Sequence, residues 1–398
     1  MQRKYQEDLE EFIKLTKTKR GLLNDKDFSE EYWHLNFYQL HTEEELKKFI
    51  ASLKLEEKEL DDYTFNYYVN AIIKYMSGNL DSHTELRFPS SSRLPYKCKY
   101  FPNGGLYLQD TINEKFKKAK ILKINNVDIN DLIEIYKKRT NYACLNRLYS
   151  LIELNFNVLE ILYSLPNFFR LDNLIIIETD KGLLKIDLQE QYAVSNDKVE
   201  DYYIKDKAMI FNYSSCHAYY IPVINELLKV LDNQLASGNI NKFILDLRNN
   251  GGGASNIIKP LIEYLKDKDL ELITIVNKGV FSSGRFAAIA MQMIGSKIIG
   301  EQIGTPINCF GNVSKPLPLK NTKEQPIFAK TYWYLDYDKK KMQGIMTREE
   351  LMRKDKNFFE PQFLELDEEL AENITDFMGD YDAFLEKALA SRYKSHKN

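Results

Sequence analysis

Phe243 to Leu247 is an apolar run with a single acid in it, Asp246, and it leads straight into Arg248-Asn249-Asn250-Gly251-Gly252-Gly253. A strand apolar on both faces reads as a parallel strand buried from both sides. The asparagines and glycines read as a turn, and Ile257 to Leu265 as the helix that follows. The same pattern surrounds this unit. Met209 to Tyr213 reads as a strand and Ile221 to Leu235 as an amphipathic helix. Leu272 to Val276 is a further strand, Gly284 to Ile294 a helix rich in small residues, and Lys297 to Ile299 a short strand. Strand alternating with helix implies an α/β core with parallel crossovers.

The remainder reads differently. Glu43 to Leu53 and Tyr63 to Met76 carry apolar residues at helical intervals. Ser77-Gly78-Asn79 is a stop signal, and Leu80-Asp81-Ser82-His83-Thr84 follows it. Residues 87–93 (RFPSSSR) are turn-rich and read as a linker. Beyond them, Gly105 to Leu108 and Ala119 to Ile124 read as strands, and Asn125-Asn126 as a turn. Val127 to Tyr136 reads as strand then helix, and Tyr142 to Leu165 as one long helical stretch. Leu174 to Thr179 and Leu183 to Leu188 suggest a hairpin around Lys181-Gly182. Three domains are expected: a helical block over 1–93 ending in the Asp-Ser-His-Thr element, a middle block over 94–195, and the α/β core over 196–398.

Whole classes of function are excluded by composition. With 55 basic and 58 acidic residues the net charge is −3, without the basic excess of a nucleic-acid binder. No window approaches the roughly 20 apolar residues of a membrane span. The polar, lysine-rich start has no signal-like apolar run, so a cytoplasmic protein is expected, or an exported one if a signal has been removed. Cys98, Cys144, Cys216 and Cys309 are far apart. They show no metal-site spacing and read as buried reduced thiols.

Three of only 17 glycines sit in one turn. Glycine lets backbone N–H groups approach a ligand, and a turn at a helix start can hold an anion or oxyanion. It is not a P-loop, since no Gly-Lys-Ser/Thr follows; a plain tight turn is the alternative. The next strand ends in Val276-Asn277-Lys278-Gly279-Val280-Phe281-Ser282-Ser283-Gly284. A serine at such a strand-to-helix turn follows the logic of a nucleophile elbow, or else caps the helix. A serine nucleophile needs a base. Of the five histidines, His396 is in the terminal tail, and His34 and His41 sit among aromatics and polar residues. His217 lies beside Cys216 before a helix. His83 lies in a polar loop able to present its ring, with Ser82 next to it.

DLRNNGGG, then VFSSG, then IIGEQIGTP resemble the core of the tail-specific proteases, or C-terminal processing peptidases. The upstream DSHT resembles the Asp-Gly-His-Thr element of their histidine-using, tricorn-core-like branch. The resemblance is specific over about 205–310 and 80–84, and looser over 311–398, where Glu360-Pro361-Gln362 and Gly379-Asp380-Tyr381-Asp382 resemble the closing segment. It implies a ClpP/crotonase-like βαβ core, with a degenerate PDZ-like α+β middle block. It also implies a serine endopeptidase acting on peptides or unfolded protein segments, without metal or organic cofactor. Ser282 matches the nucleophile, His83 the general base and Ser82 the serine that holds it. Ser283 and Gly252 match the oxyanion-hole donors. Glu301, Asp336 and Asp355 are candidates for an acidic partner. Lysine-using members carry Gly-Lys where this chain has Gly304-Thr305, which favours His83. Gln362 stands where the family has Asp, Thr305 where it has Gly, and Arg285 where an acid is usual. The substitutions at Gln362 and Thr305 motivate a second reading, an inactive peptide-binding or scaffold protein of the same fold. A third is a crotonase-like acyl-CoA enzyme. A peptide or protein partner is implied, with no nucleic acid or membrane span, and a homo-oligomer is compatible with the sequence.

Overall fold

The computed structural model describes residues 1–16, 41–78, 80–190, 200–313, 318–336, 339, 341–345, 350, 353 and 360–391. The chain divides into two compact units. The first comprises Met1–Val194, Asn308–Asp336 and Gln343–Pro361; the second comprises Ser195–Ile307, Tyr337–Met342 and Gln362–Asn398. The first unit therefore contains both the helical block and nearly all of the middle block, together with two later segments. Among the described residues no helix is long and apolar enough to cross a membrane.

In the first unit the helix Asp62–Ser77 is the central element. Asp61 caps it in a reciprocal pair with Thr64, satisfying N–H groups that the first turn leaves open. Phe65, Val69, Ile72 and Met76 pack with Tyr5, Leu9 and Phe12 of the helix Arg3–Leu15 and with Leu319 and Phe328. Tyr67 of the same helix belongs to a second core. That core covers the strands Tyr96–Phe101 and Gly105–Thr111, a sheet built on Ile121–Ile124, Leu174–Thr179 and Gly182–Asp187, and the helix Ile129–Arg139. A helix buried on two sides holds its C-terminal end, and the loop after it, in place.

Two expectations need correction here. Tyr142 to Leu165 is not one helix but two, Leu145–Asn155 and Leu159–Ser164. The break falls at Asn157, whose buried carboxamide donates to Tyr96 O and accepts from Arg93, so side-chain bonding competes with the helix. Residues 87–93 are not a free linker either. Ser92 N donates to Glu160 and Arg93 donates to Leu154 O.

The second unit is built on a six-stranded sheet. Its strands are β1 (Tyr202–Lys205), β2 (Ala208–Asn212), β3 (Lys242–Asp246), β4 (Glu271–Val276), β5 (Lys297–Gly300) and β6 (Glu368–Glu369). Their order is β6-β5-β4-β3-β2-β1. Only β1 and β2 run antiparallel; the other neighbours are parallel. Helices α1 (Tyr220–Ala236), α2 (Lys259–Leu265), α3 (Ser283–Met293) and α4 (Ala383–Ala390) accompany it. Alternate residues of a strand face opposite sides. One face, Ile210, Ile244, Ile273, Ile275 and Ile299, packs on Phe384 and Ala388 of α4. The mixed α/β fold read from the alternation is present.

Candidate functional site

In β3 and β4, Asp246 pairs with Ile275, and Leu247 N donates to Ile275 O. The two strands therefore end level, and the turns after them leave the same sheet edge. Ligands of open α/β sheets bind outside such carboxyl ends.

The turns are bonded to each other. Asn249, at φ +62°, donates its N–H to Asn277 Oδ1, and Asn277 Nδ2 donates back to Asn249 Oδ1. Phe281 N donates to Asn250 O at 2.9 Å. Ser283 Oγ donates to Gly253 O at 2.7 Å. Gly252 takes φ +99°, and a Cβ there would lie 2.7 Å from Ser282 Cβ and 2.8 Å from Ser283 N. The glycine is required because the two turns touch at that point.

Ser282 sits at φ +53°, ψ −120°, immediately before α3, and its side chain makes no helix-capping hydrogen bond. The alternative reading as a plain N-cap therefore does not describe it. A non-glycine residue held there stores about 1–3 kcal/mol of backbone strain. Ser283, the first residue of α3, points its hydroxyl into the glycine turn, and its N–H belongs to the open first turn of the helix. The Gly252 N–H donates to Asn250 Oδ1 at 2.9 Å, so it already has a neutral acceptor. Ser282, Ser283 and Gly252 are thus brought together within the second unit.

The departures at Arg285 and Gln362 have structural explanations. Arg285 is buried, and its guanidinium donates to Pro306 O. Position 362 acts through its main chain, Gln362 O accepting Ile307 N–H at 2.7 Å. Thr305 is buried.

His83 lies in the first unit, on a loop pinned residue by residue. Asp81 Oδ1 accepts the His83 N–H at 2.6 Å. Ser82 Oγ accepts Ala143 N–H, so that serine ties the loop to the middle block. Thr84 Oγ1 accepts Ala329 N–H, and Thr84 O accepts from Asn141. The strand Glu85–Arg87 then pairs with Gln325–Ile327, and Asn70 clamps Leu86 by both its N–H and its C=O. Asn66 adds a bond to Leu86 O and is itself held by the buried Arg139. The His83 ring lies near Gly311.

Two of the candidate acidic partners lie within the described residues. Glu301 Oε1 accepts Glu372 N–H, and Glu372 pairs with the buried Lys278. Asp336 accepts from Gln343. Asp355, His34 and His396 lie outside the described residues. The carboxylate that sequence reasoning missed is Asp81, fully buried and 3.9 Å from His83 Nδ1. Its signal was within the motif, two residues before the histidine. Asn249, Asn250 and Asn277 were missed as well. The paired asparagines before the glycines were the hint, since Asn tolerates left-handed backbone and bonds locally.

Of the other histidines, His41 stacks on Tyr75, and His217 Nδ1 accepts Tyr219 N–H at the start of α1. None of the four cysteines is in a disulfide, and Cys98, Cys216 and Cys309 are buried. Burial pushes the Cys216 thiol above its ordinary pKa, so it is a poor nucleophile.

No protein-family model matches the chain, and no curated protein matches it. Solved structures do. Mature CPAF is 10% identical, with 97% of this chain and 96% of that chain covered at a TM-score of 0.64. Mature CPAF complexed with lactacystin is likewise 10% identical, covering 96% and 97% at 0.64. The photosystem II D1 C-terminal processing protease is 10% identical over 93% of this chain and 94% of that one, at a TM-score of 0.44. The chain has the fold of CPAF across nearly its whole length.

Proposed function

We propose that this protein is a serine endopeptidase of the C-terminal processing kind, acting on peptides or unfolded protein segments through an acyl-enzyme on Ser282. The observation that carries the reading is Ser282 itself, a strained, uncapped serine facing a glycine turn beside the open N-terminus of a helix. Ser282 Oγ attacks the scissile carbonyl, and His83 takes its proton and returns it to the leaving amine. Water activated by His83 then hydrolyses the ester. The Ser283 N–H stabilises the tetrahedral oxyanion, joined by the Gly252 N–H. The roles of His83 and Gly252 rest on the sequence resemblance. Asp81, whose carboxylate accepts the His83 main-chain N–H and lies 3.9 Å from Nδ1, positions the histidine and favours its imidazolium; Ser82 fixes the loop. Arrays of this kind need no metal or cofactor.

The test is labelling of the folded protein by a serine-directed fluorophosphonate, with cleavage of an unfolded protein substrate measured in parallel. Label at Ser282, abolished in Ser282→Ala and strongly slowed in His83→Ala, is expected. Asp81→Asn is expected to lower kcat by about 10–100-fold, as a general-base effect of ~100–10,000-fold is partly lost. Absence of label, with undiminished binding of unfolded protein, would leave the scaffold reading instead.

A further inference from the structure

Asn250 is fully buried, and the proposed chemistry gives it no part. Its side chain nevertheless bonds two segments. Nδ2 donates to Tyr213 O at 2.7 Å, while Oδ1 accepts the Gly252 N–H at 2.9 Å and the Cys216 thiol at 3.6 Å. Its main-chain oxygen accepts Phe281 N–H, reaching the serine turn. Gly284 leaves room for it: a Cβ there would lie 2.5 Å from Asn250 O and 2.9 Å from Oδ1. One residue thus bonds the glycine turn, the serine turn and the Tyr213–Cys216 segment.

We infer that Asn250 is a positioning residue for the oxyanion site, fixing the Gly252 peptide opposite Ser282 and the Ser283 N–H. This rests on the proposed function. A free glycine peptide rotates easily, and a donor misplaced by an ångström loses most of its catalytic value. The Asn250 carboxamide removes that freedom by anchoring the N–H itself, as in an Asx-turn.

The same bond makes the donor selective. In the resting enzyme the Gly252 N–H is already satisfied by a neutral carboxamide oxygen. A neutral substrate carbonyl gains little by competing for it. A developing oxyanion does gain, because hydrogen bonds to charged acceptors are roughly twice as strong. The N–H is then shared between Asn250 Oδ1 and the oxyanion, a three-centre arrangement that proteins use commonly. An interaction realised only in the transition state raises kcat without tightening substrate binding. Asn250 is therefore expected to act on kcat and leave KM nearly unchanged, which a merely structural role would not separate.

The experiment compares kcat, KM and thermal midpoint on one quenched-fluorescence peptide for wild type, Ser282→Ala, Asn250→Ala, Asn250→Ser and Gly284→Ala. Asn250→Ala is expected to lose about 10–100-fold in kcat with KM within about twofold, less than deletion of a whole oxyanion donor. Asn250→Ser is expected to recover part of that loss, since a serine hydroxyl accepts the same N–H more weakly. Gly284→Ala presses on the Asn250 main-chain oxygen at 2.5 Å and on its Oδ1 at 2.9 Å, displacing the residue without removing its carboxamide, and is expected to lower kcat at unchanged KM. The inference is overturned if Asn250→Ala keeps kcat within about threefold, a loss well short of a missing oxyanion donor. It is also overturned if Asn250→Ser is as slow as Asn250→Ala at an equal thermal midpoint. Should Asn250→Ala fail to fold, Gly284→Ala decides, and unchanged kcat there overturns it. A Ser282→Ala protein that still cleaves overturns the proposed function and this inference together. A dead Ser282→Ala beside an undiminished Asn250→Ala overturns the inference alone.

Discussion

Adjacent glycines in the same turn give a sharp contrast. A methyl at Gly252 would sit 2.7 Å from Ser282 Cβ, 2.8 Å from Ser283 N and 3.0 Å from Phe281 O. Two of those neighbours are backbone atoms, which cannot swing aside. The residue also sits at φ +99°, where an L side chain costs about 1–3 kcal/mol. The methyl would press directly against the N–H proposed to hold the oxyanion. Gly251, one residue earlier, has nothing within 4 Å of its would-be Cβ and lies outside the left-handed region. Alanine is accommodated there and restricts the unfolded chain, a gain of about 0.4–1 kcal/mol. Gly252→Ala is therefore expected to lose ~100–1,000-fold in kcat, the value of one oxyanion donor. Its thermal midpoint should fall by a few degrees, at about 2–4 °C per kcal/mol for a unit of this size. Gly251→Ala should keep kcat within about twofold and hold or raise the midpoint, as its small free-energy change implies. Peptide-cleavage kinetics with thermal unfolding decide the matter. Gly252→Ala with near-wild-type kcat, or Gly251→Ala equally damaged, would refute the geometry on which the site is built.

Two further outcomes follow from the strain and from a buried acid. Ser282→Gly should remove the φ +53° strain and raise the thermal midpoint above that of Ser282→Ala while abolishing cleavage; equal midpoints would show that no strain is stored there. In the first unit, Glu324 is buried, and desolvation holds its pKa well above the ordinary carboxylate range, with Arg139 opposing and Asp8 and Asp62 adding to the rise. The folded state keeps a proton that the unfolded chain releases, so stability falls as pH rises from the ordinary carboxylate range to the raised value. Glu324→Gln lacks this titration. Its midpoint should exceed that of wild type near neutral pH, with the gap closing toward pH 4–5, near the ordinary carboxylate pKa. A gap independent of pH would contradict the assignment.

Much of this was legible in the sequence, for identifiable reasons. Buried parallel strands announce themselves as unbroken apolar runs, and Phe243 to Leu247 needed no tertiary information. The glycine turn stood out because glycine is costly inside a helix or strand, and the serine turn because it joins a strand to a helix. What escaped was bonding across distance. Nothing local shows that Asn157 would break a helix by reaching Tyr96, that Asn66 and Asn70 would clamp Leu86, or that Asn249 would exchange bonds with Asn277. Each is a carboxamide whose partner lies many residues away. Asp81 escaped for a different reason: the motif drew attention to Ser82 as the neighbour of the histidine. Only the fold showed that the aspartate takes the His83 N–H while the serine takes Ala143.

The backbone at Ser282 also bears on the choice between a peptidase and a scaffold of the same fold. A binding protein gains nothing from a serine at φ +53°; glycine would occupy the position without the penalty, and the turn already uses glycine freely. The hydroxyl is not spent on capping α3, so helix stability does not account for it. Around it, Asn249, Asn277, Asn250 and Ser283 supply hydrogen bonds that keep the two turns in register. A fold that over-determines a strained residue in this way holds its side chain in one place against a free-energy gradient. Stored strain of this sort is characteristic of sites where a group must be presented to a reacting atom. Of the two departures that motivated the scaffold in sequence, Gln362 acts on the Ile307 main chain and Thr305 is buried, and the serine turn's own bonds are intact. The strain therefore weighs toward catalysis, and the midpoint difference between Ser282→Gly and Ser282→Ala measures how heavily.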